Sequence, residues 1–312
     1  MANTVVIGVA FVDVKGFPKG EYIPEGRNLG SVKIVHGGVS RNVVENFANV
    51  GMPVSFVSPM EDSAIGRDVE RRLLNAGADL SHAVPVDDDG LGMWLVILDE
   101  NGDLAGSISR MPDISVLENY IAIHGEDIVA EAENIVLEID LNERIAERML
   151  DLAEHYGKKV YSLVGNMSVI LQRKDLLSRT ACFICNEVEA EKLFEEPLSN
   201  LTPEQMCDRL PTLADGAGLS AVVVTMGADG AAYYDSETGS RGVCPVYPTE
   251  VVDTSGAGDA FFSGTIMGLT RRLPLSEAVR YGARLAAMTI ASDESACPVC
   301  PDFFNEQLSL FS

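Results

Sequence analysis

Cationic side chains are scarce in this sequence: its 312 residues carry 23 Lys and Arg against 47 Asp and Glu, a formal net charge of −24. A surface that acidic repels polyanions, which argues against a partner made of nucleic acid or an anionic membrane. Long apolar runs are missing too, since none approaches the ~20 residues that a membrane helix needs. The N-terminal TVVIGVAFV has no basic segment before it and runs into Asp13, so it reads as a first core strand and a cytoplasmic location is expected. Internal repeats, low-complexity tracts and long linkers are absent as well. With 46% apolar residues, one large domain spanning 1–312 is expected.

Two familiar nucleotide signatures are also lacking. There is no G-x-x-x-x-G-K-[ST], which excludes a P-loop kinase. GAGDAF has only G-x-G, without the third glycine of a dinucleotide fingerprint, and lies far from the first strand. Cysteine is present six times, four of them in the pairs Cys182/Cys185 (CFIC) and Cys297/Cys300 (CPVC). TACFIC reads as a strand, where residues three apart point to opposite faces, so Cys182 and Cys185 are poorly placed to share a zinc ion. Reduced, mostly buried thiols are expected.

Strand-like and helix-like segments alternate along most of the chain. Candidate core strands fall at 5–10, 54–58, 135–139, 159–163, 181–185 and 221–225. Between them lie amphipathic stretches such as RNVVENFANVG, GRDVERRLLNAG and NERIAERMLDLAEHYG, each closing at glycine. The pattern predicts an α/β fold, a doubly wound, mostly parallel sheet flanked by helices. Two excursions break the alternation. Segment 15–36 contains the extended pieces EYIP and SVKIV, and segment 90–110 holds two extended runs joined at Asn101-Gly102, a hairpin signal. Together they are expected to form a small β lid, or else two surface hairpins.

VVDTSGAGDAFFSG places glycines where extended chain, VYPTEVVD, gives way to a helix ending in two arginines. Unpaired amides and the positive end of the helix dipole make an anion site there, and Gly256, Ala257 and Gly258 let a phosphate approach the backbone. Asp259 then falls in the first helical turn. Either it complements the dipole, or it accepts a proton from an attacking hydroxyl while the amides stabilise a moving phosphoryl group.

DTSGAGDAF resembles the C-terminal signature D-T-x-G-A-G-D-x-F of the ribokinase family, the PfkB-type sugar and nucleoside kinases. GGVSRNVVENFANVG resembles its N-terminal signature, NEVEAE its N-x-x-E and TMGADG its T-x-G-x-x-G, in the family's order. The resemblance implies a ribokinase-like fold and an ATP-dependent kinase with Mg²⁺. Asp259 would be the base, with Gly256, Ala257 and Gly258 as the anion hole. Asn186 and Glu189 would organise Mg²⁺ through waters, although the same pair also reads as a helix cap. Thr225 and Gly227 would border the nucleotide, and Asp253 and Ser255 lie where the family often holds K⁺. Asp13, Gly37, Gly38 and Asn42 match acceptor-binding positions; read without the resemblance, Asp13 could end the first strand and the glycines start a helix. Arg41 lies between them and would face the acceptor or solvent.

DVKG, NLGSVKIVHGGVSRN and SDESACPVCPDF are most similar to the pseudouridine kinase branch. Phosphorylation of the hydroxymethyl group of a ribosyl-type sugar or nucleoside is therefore expected, pseudouridine being favoured. SRMPD puts Arg110 before Met111 where that branch would have an aspartate, and YSLVGNMS lacks its Asp-Pro. Ribose, a fructose-type sugar, adenosine or inosine stay open as acceptors. A nucleotide or sugar sensor of the same fold and a scaffold recruited through the acidic face are the alternatives without turnover. The lid hairpins expose a sheet edge suited to a homodimer.

Overall fold

Thr4, Val5, Val6 and Ile7 are all buried, with no alternation of inside and outside. That is the burial of a parallel strand covered on both faces. A computed structural model describes residues 3–305 of the chain. Its first half runs β1 (Thr4–Ile7), β2 (Phe11–Pro18), β3 (Gly30–Gly37), α1 (Val39–Asn49), β4 (Val54–Glu61), α2 (Ala64–Ala76), β5 (Ala83–Val86), β6 (Gly92–Leu98), β7 (Leu104–Arg110) and α3 (Ile114–Glu131). The second half continues with β8 (Asn134–Glu138), α4 (Glu143–His155), β9 (Lys159–Leu163), β10 (Cys182–Asn186), α5 (Glu187–Phe194), α6 (Pro203–Ala217) and β11 (Ala221–Thr225). It closes with β12 (Ala231–Asp235), β13 (Ser240–Cys244), α7 (Ala257–Thr270) and α8 (Leu275–Ile290).

Nine strands form one sheet in the order β13-β12-β11-β10-β9-β8-β1-β4-β5. β1 pairs in parallel with β4 on one side and β8 on the other, so the strand order reverses direction there. Crevices that bind ligands open at the carboxyl ends of such strands. One core layer joins Val6, Phe56, Val136 and Val223 to α1, α2, α7 and α8. The other joins Ile7, Leu137, Phe183 and Val224 to α3, α4 and α6. Cys182 belongs to the first layer and Cys185 to the second, the opposite faces that a strand demands. Among the described residues no helix is long and apolar enough to cross a membrane.

A separate four-stranded sheet, β3-β2-β6-β7, stands against the main one. Its hairpin turn is at Asn101-Gly102, where Asp99 accepts the Asn101 and Asp103 amides at 2.8 Å each. The boundaries differ from expectation. β1 stops at Ile7, not at residue 10, because the Val9 amide goes to the Glu138 carboxylate at 3.2 Å and leaves the ladder. The small sheet consequently begins at Phe11, ahead of residue 15. EYIP is no strand: the Asn28 side chain binds both the amide and the carbonyl of Ile23, folding that segment into a loop. VYPTEVVD is likewise irregular.

Candidate active site

The DTSGAGDAF segment builds the centre of the site. Gly256 is the N-cap of α7 with φ 76°, a left-handed conformation, and a Cβ on it would stand 2.0 Å from the Ser295 carbonyl oxygen. Only glycine fits that place. No side chain caps the helix. The Ala257 amide turns back to the Thr254 carbonyl at 3.2 Å, whereas the amides of Gly256, Gly258 and Asp259 make no hydrogen bond among the described residues. The expected contribution of Ala257 is thus shared with its own turn. Three free donors at the positive end of a helix form an anion cradle. Phe261, Phe262, Ile266 and Met267 anchor the helix in the core; burial stabilises each by about 1.5–3 kcal/mol, which holds the cradle still.

Two cavities meet at this first turn. The larger, about 820 Å³, is lined by Asn186, Glu189, Thr225, Gly227, Ala257 and Gly258. The smaller, about 380 Å³, is lined by Asp13, Gly37, Gly38, Asn42, Glu138 and Asp259 among others. Gly256 and Asp259 face the smaller side, Ala257 and Gly258 the larger.

Carboxylates dominate the smaller cavity. Asp259 accepts a hydrogen bond from Asn42 Nδ2 at 2.6 Å. Burial pushes its pKa up to about 6, opposed by the Asn42 bond and the Arg41 charge. Burial also raises Asp13, against the pull of Lys15 and Arg41. Glu138, at the carboxyl end of β8, is pushed up to about 7 by burial, although Ser40 Oγ and the Val9 amide donate to it at 2.7 and 3.2 Å. Three carboxyl groups that resist ionisation surround a space open to a small polar molecule.

On the larger side, Asn186 and Glu189 form a reciprocal capping box on α5: the Asn186 amide donates to Glu189 Oε2 and the Glu189 amide to Asn186 Oδ1, both at 2.9 Å. Both side chains nevertheless line the cavity. Thr225 Oγ1 donates to the Cys185 carbonyl at 3.3 Å and Gly227 turns the chain with φ 55°. Asp253 accepts the Ser255 amide at 2.8 Å, which holds its carboxyl below the usual range. Ser255 lines the smaller cavity, Asp253 neither.

One expectation fails. Arg41 reaches no solvent and lines neither cavity: it is 0% exposed, because the guanidinium is enclosed by Glu45, Ser295 and the carbonyls of His36 and Gly37. Several lining residues were missed by sequence reasoning, among them Glu138, Trp94, Asn166 and Ser295. Glu138 carried a signal, an acid closing the apolar strand run NIVLE. Asn166 sits on a loop held by Asp140, whose carboxylate accepts the amides of Gly165 at 3.2 Å and Met167 at 2.9 Å. Arg110 lies outside the cavity and ties the small sheet to the body through Glu61 Oε2 at 3.0 Å. Among the described residues no group of three or more His, Cys, Asp or Glu is placed to hold a metal ion.

Free helix-start amides thus stand between a large and a small cavity, on a doubly wound sheet with a second small sheet. The sequence matches the pfkB family carbohydrate kinases over residues 1–299. The chain belongs to that family and is a sugar or nucleoside kinase. It is 35% identical to a guanosine-inosine kinase of Exiguobacterium acetylicum, covering 95% of this chain and 96% of the relative. Identity to the pseudouridine kinase of Escherichia coli is 26%, covering 94% and 92%. The fold matches the Arabidopsis thaliana ribokinase complexed with ribose and ATP, with a TM-score of 0.82, 22% identity and coverage of 100% and 99%.

Proposed function

We propose that this kinase transfers the γ-phosphoryl group of ATP to the 5′-hydroxymethyl group of a ribonucleoside, a purine nucleoside of the guanosine or inosine type being the first acceptor. The observation that carries the reading is the shared first turn of α7, with Asp259 on the small side and free amides between the cavities. The purine preference rests on the 35% relative, which outweighs the short strings that favoured pseudouridine. The smaller cavity is also bordered by Phe11 and Trp94, flat apolar surfaces suited to a base.

Asp259 takes the proton of the attacking hydroxyl, and a pKa near 6 leaves it ionised yet basic at neutral pH. The amides of Gly256 and Gly258 receive the charge of the phosphoryl group in flight. Asp13 and Asn42 orient the acceptor, and Gly37 and Gly38 let its ring approach the backbone. ATP occupies the larger cavity beside Thr225 and Gly227. Glu189 commits one oxygen to its capping box and has the other free as a hard ligand, so with Asn186 it suits a water-bridged Mg²⁺. Bound Mg²⁺ would neutralise charge on the phosphates. The Asp253–Ser255 turn is the proposed K⁺ locus, which a K⁺ titration of activity reads.

A homodimer is proposed through the outer face of the small sheet. Ile34, Val14, Leu95 and Ile108 lie in one cross-strand row, and Ile34 and Ile108 are 56% and 69% exposed. Light scattering should give twice the chain mass, reverting to monomer in Ile108→Asp.

ADP release with ATP and Mg²⁺ across guanosine, inosine, adenosine, pseudouridine, uridine, ribose and fructose tests the acceptor. Highest kcat/KM with guanosine or inosine supports the reading. Preference for pseudouridine or free ribose overturns the purine assignment, and no release with any acceptor overturns the kinase reaction itself.

A further inference from the structure

We infer that Arg41 is a positioning residue for Asp259, acting through Asn42 and locked by Ser295. The inference rests on the reading of Asp259 as the base. Arg41 sits in the first turn of α1, fully buried. Nε donates to the Gly37 carbonyl at 3.2 Å, and Nη1 pairs with Glu45 one turn on. The two N–H groups of Nη2 are shared among Asn42 Oδ1, the His36 carbonyl and Ser295 Oγ, the last at 2.8 Å. Ser295 in turn donates to the His36 carbonyl at 2.9 Å and lies 3.2 Å from Asn42 Oδ1.

The consequence concerns the two ends of one amide. Asn42 could present either its oxygen or its NH₂ to the cavity, since the two have almost the same shape. Guanidinium has donors only, so its contact holds Oδ1 inward. Nδ2 is then left facing Asp259 Oδ2, 2.6 Å away. The reversed amide would set an oxygen against a carboxylate. Arg41 thereby fixes which face of Asn42 the base meets, without touching the acceptor.

Charge points the same way. Glu45 is shared, because Arg72 Nε also donates to it at 2.7 Å, and Arg72 Nη2 continues to Glu294 at 2.7 Å. Arg41 is therefore only partly neutralised by its own partner, and its remaining field reaches the cavity carboxylates. Asp259 is faced by Arg41 and Asn42 from α1, Glu138 from β8 and Glu189 from α5, with Asp13 of β2 across the cavity. Lys15 of β2 and His36 of β3 also line that cavity, and of these basic groups Arg41 is the one whose charge lowers the pKa of the Asp259 carboxyl. A buried guanidinium is expensive, and an apolar side chain would serve packing alone at least as well.

The test compares Arg41→Met, Arg41→Lys, Ser295→Ala and Asp259→Asn by kcat, KM for ATP and the pH profile of kcat/KM. Asp259 works ionised, so removing a nearby cation moves the acid limb to higher pH. For Arg41→Met we expect a roughly 30-fold or greater loss of kcat and a limb displaced upward by about one pH unit, with KM for ATP unchanged. Arg41→Lys keeps the charge and loses the fork, so kcat should fall with a smaller displacement of the limb. Wild-type kcat and limb in folded Arg41 variants, with only Tm lowered, would overturn the inference and leave Arg41 a packing residue. If Arg41→Met does not fold, Ser295→Ala decides: a loss of about 3–10-fold with the limb moved the same way supports it, and an unchanged profile overturns it. Activity retained in Asp259→Asn would instead sink the base assignment, whatever the Arg41 variants do.

Discussion

The two cavities that share the first turn of α7 are built on different principles. The larger uses backbone turns and small or apolar side chains, such as Gly227, Ala283, Ala287 and Val251, with the Asn186–Glu189 capping pair at its edge. The smaller gathers three carboxyl groups that burial has pushed up, Asp13, Glu138 and Asp259. A cofactor common to many enzymes can be held by shape and backbone donors. An acceptor that must be both chosen and deprotonated calls for strained electrostatics. The difference teaches that damage should sort by side: chemistry lost on the small side, nucleotide affinity on the large.

The sharpest separation is expected from Asp259→Asn, which should lower kcat by roughly 10²–10⁴ while leaving the thermal shift produced by ATP and Mg²⁺ intact. Loss of ATP binding in that variant would mean that the two sides are not separable. Gly256→Ala attacks their common wall instead. Its Cβ would meet the Ser295 carbonyl at 2.0 Å in a backbone of positive φ. Strain of about 1–3 kcal/mol should shift the helix start, reducing both turnover and ATP affinity and lowering Tm. A variant impaired on one side alone would show that the turn is not the shared element.

Glu138→Gln isolates the electrostatic cost of the small side. A carboxyl group raised from its usual value to about 7 in the fold is stabilising while protonated. That contribution is complete below about pH 4.5 and disappears as the pH rises through 7, amounting to about 3 kcal/mol. Gln carries no such dependence. In urea titrations the variant should match the wild type near pH 5 and exceed it at pH 8, whereas parallel curves would show that Glu138 does not titrate with folding. Turnover should fall in the same variant if the carboxyl orients the acceptor.

How much of this was legible in the sequence follows the same division. Apolar β-branched runs and glycine-closed helices carry the main sheet and its two layers, because burial on both faces leaves a local mark. The large side was readable through NEVEAE and TMGADG, whose spacing is itself the local turn. The small side was readable only where a motif marks it, at Asp13, Gly37, Gly38, Asn42 and Asp259. Glu138 left only the mark of an acid closing NIVLE, whereas Trp94 and Ser295 come to the cavity from distant segments, and no local pattern announces a meeting between residues 42 and 295. Arg41 was misjudged for the opposite reason. A basic residue amid a polar signature reads as exposed, and its burial depends on Glu45 and Ser295 arriving from other turns of the chain. The early end of β1 was hidden likewise, since a side chain from β8 takes the Val9 amide.

The smallest effect is expected on the large side, from Asn186→Ala. The variant removes one half of the capping box on α5 and should cost about 1 kcal/mol of stability, the usual loss of a helix cap. If the pair also organises Mg²⁺ at the phosphates, KM for ATP should rise several-fold and the Mg²⁺ concentration for half-maximal rate should rise with it, while the acid limb of kcat stays in place. Glu189→Gln keeps an oxygen to accept the Asn186 amide but gives up the charge, so it should spare the cap and raise the Mg²⁺ requirement alone. Stability lost without any change in Mg²⁺ dependence, in both variants, would reduce the pair to a helix cap. The nucleotide cavity would then hold ATP by backbone and shape only, and the contrast with the acceptor side would be steeper than the one drawn from the carboxylates.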